Sequence, residues 1–376
     1  MAKKKNIKPA KSALSVVSGV EGRRDNVSGK VARPKRRSWS VSDLISGICE
    51  GNRTLLGRAI SIIESNAAKH REQAEQLLAG LIEHSGKSLR VGISGVPGAG
   101  KSTLIESLGL FLTKRGHRVA VLAVDPSSSL TGGSIMGDKT RMDRLAQDPA
   151  SFIRPSPSGG MLGGVARKTR ETIILCEAAG YDIILVETVG VGQSEITVRS
   201  MVDFFLLLQI AGAGDELQGI KKGVIELCDA IIVNKADGEN KIRANAARQE
   251  YASALRYLVP ATKDWKPTAL ALSALTGEGL EELWEMITSF QKETDSSGFF
   301  AKRRAVQQVE WMHSLVRLGL EQQFYRDAAI QQLRNKYEEQ VAVGRLNPAA
   351  AAEKLLKQFR NMVDSPPENV DRQPKK

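Results

Sequence analysis

Cysteine and aromatic side chains are scarce in this chain of 376 residues: it holds three cysteines, and Phe, Trp and Tyr together make up 5%. Cys49, Cys176 and Cys228 are odd in number and share no C-x-x-C spacing, which excludes an encoded disulfide framework or cysteine zinc site and points to a reducing compartment. Long hydrophobic runs are lacking as well. The richest, Phe204 to Ala213, is interrupted by Gln209 and falls short of the roughly 18 apolar residues that a membrane span needs, so a soluble protein without membrane contact is expected. An acidic excess is also missing, the formal net charge being +12. That charge is local. Residues 1–40 carry twelve Lys/Arg against Glu21 and Asp25, leaving 42 basic and 40 acidic residues for the rest of the chain. A nearly neutral body with four Trp and five Tyr offers neither a basic face nor a stacking platform, so nucleic acid is not expected as a partner.

What is present is enough apolar material, 41% of residues, for a core of one to three domains. Segment 1–40 has little periodicity and reads as a disordered basic tail. It opens on Lys3, Lys4 and Lys5 and lacks an apolar face, so cytoplasmic residence ranks ahead of the mitochondrial matrix. Helical periodicity governs 41–85, with Ser42 as a candidate cap. From 86 to 292 short apolar runs alternate with helical stretches, the signature of a mostly parallel sheet flanked by crossover helices. Strands are predicted at 89–94, 118–124, 151–154, 182–187, 203–210, 229–233 and 268–272. Residues 293–362 read as helical, with segments at 299–321, 323–342 and 348–361, and 363–376 as a frayed tail.

The stretch Gly95-Val-Pro97-Gly98-Ala99-Gly100-Lys101-Ser102, followed by Thr103, fits G-x-x-x-x-G-K-[ST] between a predicted strand and a helix over 102–115. Glycines there let backbone amides close around a triphosphate, Lys101 bridges its outer phosphates, and the Ser102 hydroxyl suits Mg²⁺. This predicts a P-loop GTPase fold once the base is considered. Asn234-Lys235-Ala-Asp237 follows a strand, and the Asp237 carboxylate can accept guanine's paired N–H donors, which adenine lacks; GTP is therefore favoured. Ser273-Ala274-Leu275 ends the next strand, where a second base contact would fall. Asp125, Asp138 and Glu187 are candidates for the metal and the attacking water, and Gly190 for the γ-phosphate. Gln193 and Gln218 are further candidates for positioning the water. The loops 127–139 and 211–222 combine glycines with polar tips and read as nucleotide-responsive switches.

Val124-Asp125-Pro-Ser-Ser-Ser, Thr131-Gly-Gly-Ser-Ile-Met-Gly-Asp138, Ser158-Gly-Gly-Met-Leu-Gly-Gly-Val-Ala and Glu187-Thr-Val-Gly-Val-Gly-Gln-Ser-Glu195 closely resemble the G-protein chaperones of adenosylcobalamin-dependent methylmalonyl-CoA mutase, the MeaB/ArgK/MMAA family. The resemblance spans about residues 41 to 340. It implies a Mg²⁺-dependent GTPase cycling between GTP and GDP that gates adenosylcobalamin loading, protection and reactivation of the mutase or a related acyl-CoA mutase. By resemblance, Lys101, Ser102, Asp125, Asp138 and Glu187 serve phosphate and metal, Asn234, Lys235 and Asp237 serve guanine, and Gln218 and Lys221 fall in a mutase-responsive switch. It also implies a homodimer built through the C-terminal helices. No D-x-H-x-x-G signature surrounds His70, His84, His117 or His313, so cobalamin is expected only through the partner. A metallochaperone GTPase and an ArgK-like kinase linked to amino-acid transport are the alternatives.

Overall fold

The computed structural model describes residues 39–124, 142–155, 162–188, 194–212 and 222–364. Its apolar runs form strands β1 (Leu89–Gly95), β2 (Val119–Val124), β3 (Ser151–Arg154), β4 (Ile183–Thr188), β5 (Phe204–Ile210), β6 (Ala230–Asn234) and β7 (Thr268–Ala271). They make one sheet in the order β3-β2-β4-β1-β5-β6-β7, every neighbouring pair parallel. All of β1, β2, β4 and β6 is buried, as strands covered on both faces must be. The chain leaves central β1 toward β2 on one side, and later crosses from β4 to β5 on the other. The C-terminal ends flanking β1 therefore form the crevice where ligands of such sheets collect.

Helices α4 (Lys101–Thr113), α5 (Asp143–Gln147), α6 (Leu162–Ala178), α7 (Ser194–Arg199), α8 (Lys222–Ile225), α9 (Asn240–Leu255) and α10 (Leu280–Ser296) accompany the strands. On one face, Leu104, Leu108 and Leu112 of α4 join Leu283, Ile287 and Phe290 of α10 over Val91, Ile93 and Phe204. Phe290 meets the Phe204 ring edge-on, centroids 5.0 Å apart. On the other face, α7 packs so closely that a Cβ on Gly92 would come within 2.9 Å of Phe205, Val198 and Val202.

The helical lead is three helices, α1 (Val41–Cys49), α2 (Arg53–Glu64) and α3 (Ala68–Leu81). Ser40, rather than the expected Ser42, caps α1: its Oγ accepts from the Asp43 amide at 3.1 Å, and the Asp43 carboxylate accepts from the Ser40 amide at 3.0 Å. That reciprocal box satisfies two otherwise orphaned donors, which Ser42, already inside the helix, could not do.

Beyond Gly298 run α11 (Phe299–Arg326), α12 (Ala328–Ala342) and α13 (Pro348–Asp364). The break comes at Asp327 and not near 322, because the Asp327 carboxylate accepts from the amides of Ala329 and Ile330 at 2.9 and 3.0 Å. The start of α11 is fastened to the sheet by buried charge. Arg304 donates to Asp203 at 2.6 and 2.8 Å and to the Ser88 carbonyl at 2.5 Å. Asp229, fully buried, accepts from Arg199 at 2.6 and 3.1 Å, with Arg303 at 3.9 Å. Burial pushes the Asp229 carboxyl up, an effect that Arg199, Thr262 and the Phe205 amide offset only in part. Gln307 donates to the Val202 carbonyl at 2.9 Å, and Arg170 of α6 bridges the carbonyls of Gln307 and Ser200 at 3.0 and 2.7 Å. The segment just past the short helix α7 is thereby hydrogen-bonded to both α6 and α11.

Candidate nucleotide site

Two of the phosphate-loop glycines are required by close approach. A Cβ at Gly95 would lie 2.3 Å from the Leu208 carbonyl oxygen of β5. Gly100 has a φ of 91°, and a Cβ there would lie 2.6 Å from Asn234 Nδ2; a side chain would be strained and obstructed at once. Lys101, at the N-terminus of α4, donates to the Gly95 carbonyl at 2.8 Å and to that of Val96 at 3.4 Å. Burial pulls its ammonium pKa down, while Glu187 and Glu195 pull it up. Pro97, Gly98 and Thr103 are exposed at the rim of the loop, and Ala99 is buried beneath it.

Asn234 sits at the end of β6, 2% exposed. Its Nδ2 donates to the Ala99 carbonyl at 2.7 Å and its Oδ1 accepts from the Ala274 amide at 2.9 Å. One carboxamide thus ties the phosphate loop to the 273–275 loop. Sequence reasoning assigned Asn234 to the base, and its brace role was not foreseen. The Ser107 hydroxyl of α4 reinforces the tie by donating to the Ala274 carbonyl at 2.5 Å. Lys235 turns the chain with a φ of 60°, its carbonyl accepting from Asn240 Nδ2 at 2.7 Å. The Ala236 amide then bonds the Leu272 carbonyl at 3.0 Å. Asp237 is positioned by Ser273, whose buried hydroxyl donates to Asp237 Oδ1 at 2.8 Å. Leu275 is 79% exposed, so the side-chain chemistry of this loop rests with Ser273.

The acidic side of the crevice is Glu187 in β4, paired in register with Ile93 of β1 and 4% exposed. Its Oε1 accepts from Ser102 Oγ at 3.3 Å. A desolvated carboxylate beside a hydroxyl at a helix N-terminus is a hard-oxygen donor set, and it fits Mg²⁺ in chemistry. Glu195, in the first turn of α7 and 5% exposed, is a second carboxylate acting on Lys101. It was passed over in the sequence because it read as part of a longer motif. Asp125, Asp138, Gly190, Gln193, Gln218 and Lys221 lie outside the described residues, as do most of the loops 127–139 and 211–222. Among the described residues, then, the fold brings Gly95 to Thr103, Glu187, Asn234 to Asp237 and Ser273 to Leu275 to one edge of the sheet. That edge offers amides and an ammonium for phosphates, oxygens for a cation, and a carboxylate for a purine's N–H donors.

Comparison with known proteins agrees. The profile of the methylmalonyl-CoA mutase-associated GTPase MeaB matches residues 56–329. A probable GTPase of Mycobacterium bovis is 51% identical over 325 residues, covering 86% of this chain and 96% of its own. The mouse mitochondrial methylmalonic aciduria type A homologue is 45% identical over 331 residues, covering 85% and 80%. A crystal structure described as an LAO/AO transport system kinase superposes with a TM-score of 0.67 at 36% identity, covering 85% of this chain and 97% of that one.

Proposed function

Because the chain belongs to the methylmalonyl-CoA mutase-associated GTPase family MeaB, we propose that its GTP cycle governs adenosylcobalamin loading, protection and reactivation of a methylmalonyl-CoA mutase or a related acyl-CoA mutase. It is a GTPase with the P-loop fold. The observation that carries the site assignment is the Asn234 brace, which fixes phosphate loop and base loop relative to one another.

In this reading the amides from Gly98 to Thr103 and the Lys101 ammonium hold the β- and γ-phosphates, and Lys101 exchanges its Gly95 and Val96 carbonyl bonds for phosphate oxygens. Asp237, steadied by Ser273, accepts from guanine, while Lys235 and the Ala274 backbone flank the base. Ser102 and Glu187 hold Mg²⁺, joined by Asp125 and Asp138. The ion supplies charge neutralisation across the outer phosphates. Asp138, Gln193 and Gln218 are the candidates for orienting water, Gly190 contacts the γ-phosphate, and Gln218 and Lys221 report the nucleotide to the partner.

A homodimer is supported by α11, whose only buried residue among its 28 is Gln307, while Val309, Met312, Val316 and Leu320 stand 52 to 56% exposed at helical spacing. Such a stripe is the kind of face that oligomerisation covers. We assign the GTPase unit to 86–292, helical segments to 41–85 and 293–362, and tails to 1–40 and 363–376. No helix among the described residues is long and apolar enough to cross a membrane. Relatives are both bacterial and mitochondrial, and we place the cycle in the cytoplasm, with the mitochondrial matrix as the alternative. The metallochaperone alternative gains nothing from the cysteines: burial pushes the Cys228 thiol up to about 12 and Cys176 higher still, which disfavours the thiolates that bind metal.

The test of this reading is transfer of adenosylcobalamin into cofactor-free mutase, followed by the cofactor's absorbance. Loading that proceeds with GTP and stalls with a non-hydrolysable analogue is the expected result. Loading indifferent to this protein and to nucleotide would contradict it.

A further inference from the structure

A cavity of about 310 Å³ opens between the α2–α3 junction, α6 and α11, lined by residues that take no part in the nucleotide site. His70 and Arg71 enter it from α3, Arg167 and Lys168 from α6, and Arg326 from the end of α11, with Asn66 as a neutral neighbour. No Asp or Glu is among its lining residues in the described structure. The two carboxylates that act on Lys168, Glu64 and Glu171, are already engaged. Glu171 accepts from Arg167 at 2.7 Å, and Glu64 is bound by Arg154. Among the described residues Lys168 Nζ donates to the Asn66 side-chain Oδ1, at 3.0 Å, and neither Arg71 nor Arg326 has a carboxylate partner. Burial pulls the Lys168 ammonium pKa down and Arg167 adds to this, opposed by Glu64 and Glu171.

Arg71, Lys168 and Arg326, converging on one concave space without a carboxylate bonded to any of them among the described residues, make an arrangement that a compact, multiply charged anion relieves. Guanidinium forks suit phosphate oxygens in particular. The volume is at the lower end of the roughly 300–1,000 Å³ typical of small-ligand sites, which accommodates a phosphorylated small molecule rather than a lone ion. We propose that this cavity is a second anion site, separate from the phosphate loop, that binds a small phosphorylated molecule bearing at least two negative charges. Arg71 and Arg326 grip its outer oxygens, and Lys168 and Arg167 meet it at the inner wall.

The test is calorimetric titration of inorganic pyrophosphate into the full chain saturated with GDP, so that the phosphate loop is already filled. Binding is expected to persist under these conditions. The Arg71→Ala/Arg326→Ala double variant should weaken it by about tenfold or more, while GDP affinity and thermal unfolding stay unchanged, since both side chains are exposed and outside the core. Loss of pyrophosphate binding in saturating GDP would overturn the proposal, as would equal affinity in the double variant. Tighter binding of a Glu-rich peptide than of pyrophosphate would also overturn it, by showing a surface for an acidic protein segment.

Discussion

Replacing Lys101 by alanine is expected to lower GTP turnover by about 10²–10³-fold, the usual effect of deleting one donor from a preorganised transition-state site. The ammonium is not an incidental surface charge. It is half-buried at the head of α4, bonded to the loop's own carbonyls at 2.8 and 3.4 Å, and stays charged against desolvation through Glu187 and Glu195. Lys101→Arg should not rescue turnover, because a planar fork does not fit where a point charge is folded back onto the loop. The check is single-turnover hydrolysis with protein in excess. Retention of activity within about threefold, judged on the same scale, would remove Lys101 from the phosphate site.

Asp237→Asn should invert base preference. In the wild type one carboxylate oxygen accepts from Ser273 at 2.8 Å, and the group is left to accept guanine's paired donors. An Asn keeps the carbonyl that Ser273 needs and replaces an acceptor by an N–H donor, which suits the C2 carbonyl of xanthine. Sites built on such hydrogen bonds discriminate by about 10⁴-fold or more, so the ratio of GTP to xanthosine triphosphate turnover should fall by that order, from above one to below one. The loop itself should survive, because Ala236 remains bonded to Leu272 and Asn234 to Ala99 and Ala274. An unchanged preference for GTP would contradict the base contact.

Much of this was legible in the sequence because it is local. Each predicted strand lies within a residue or two of an observed one, since a doubly covered parallel strand writes itself as an uninterrupted apolar run, as Val119–Val124 does. The phosphate loop was legible through spacing alone. What could not be read depends on partners far apart in the chain. The Asn234 brace joins residues separated by 135 and 40 positions, and nothing near Asn234 announces that Gly100 must leave room for it. The same holds for Asp203 and Asp229. Each looked like an ordinary polar strand boundary, yet each is buried and held by arginines, Arg304 lying 101 positions from Asp203. Helix ends failed for a subtler reason. Ser40 and Ser42 are equally good capping residues by type, and only the reciprocal Asp43 bond selects the first.

These long-range ties also connect the nucleotide edge of the sheet to the C-terminal helices. Arg170, pulled down to about 10 by burial, with Glu310 raising it and Arg90 lowering it, remains charged at neutral pH and is held by the carbonyls of Ser200, just past α7, and of Gln307 in α11. A shift of α7 on nucleotide exchange would have to break or carry these bonds, and that is how a change beside Glu187 could reach the C-terminal helices. By linkage, a partner that prefers one setting of α11 must alter nucleotide affinity in return.

The most direct measurement is the GTP hydrolysis rate of the purified protein, alone and with an adenosylcobalamin-dependent methylmalonyl-CoA mutase from the same source. The protein alone should be slow, on the order of the 10⁻⁴ to 10⁻² s⁻¹ of unassisted GTPases, and the mutase should raise the rate severalfold or more. An unchanged rate with no complex formed would leave the GTPase in place and contradict the mutase as its client.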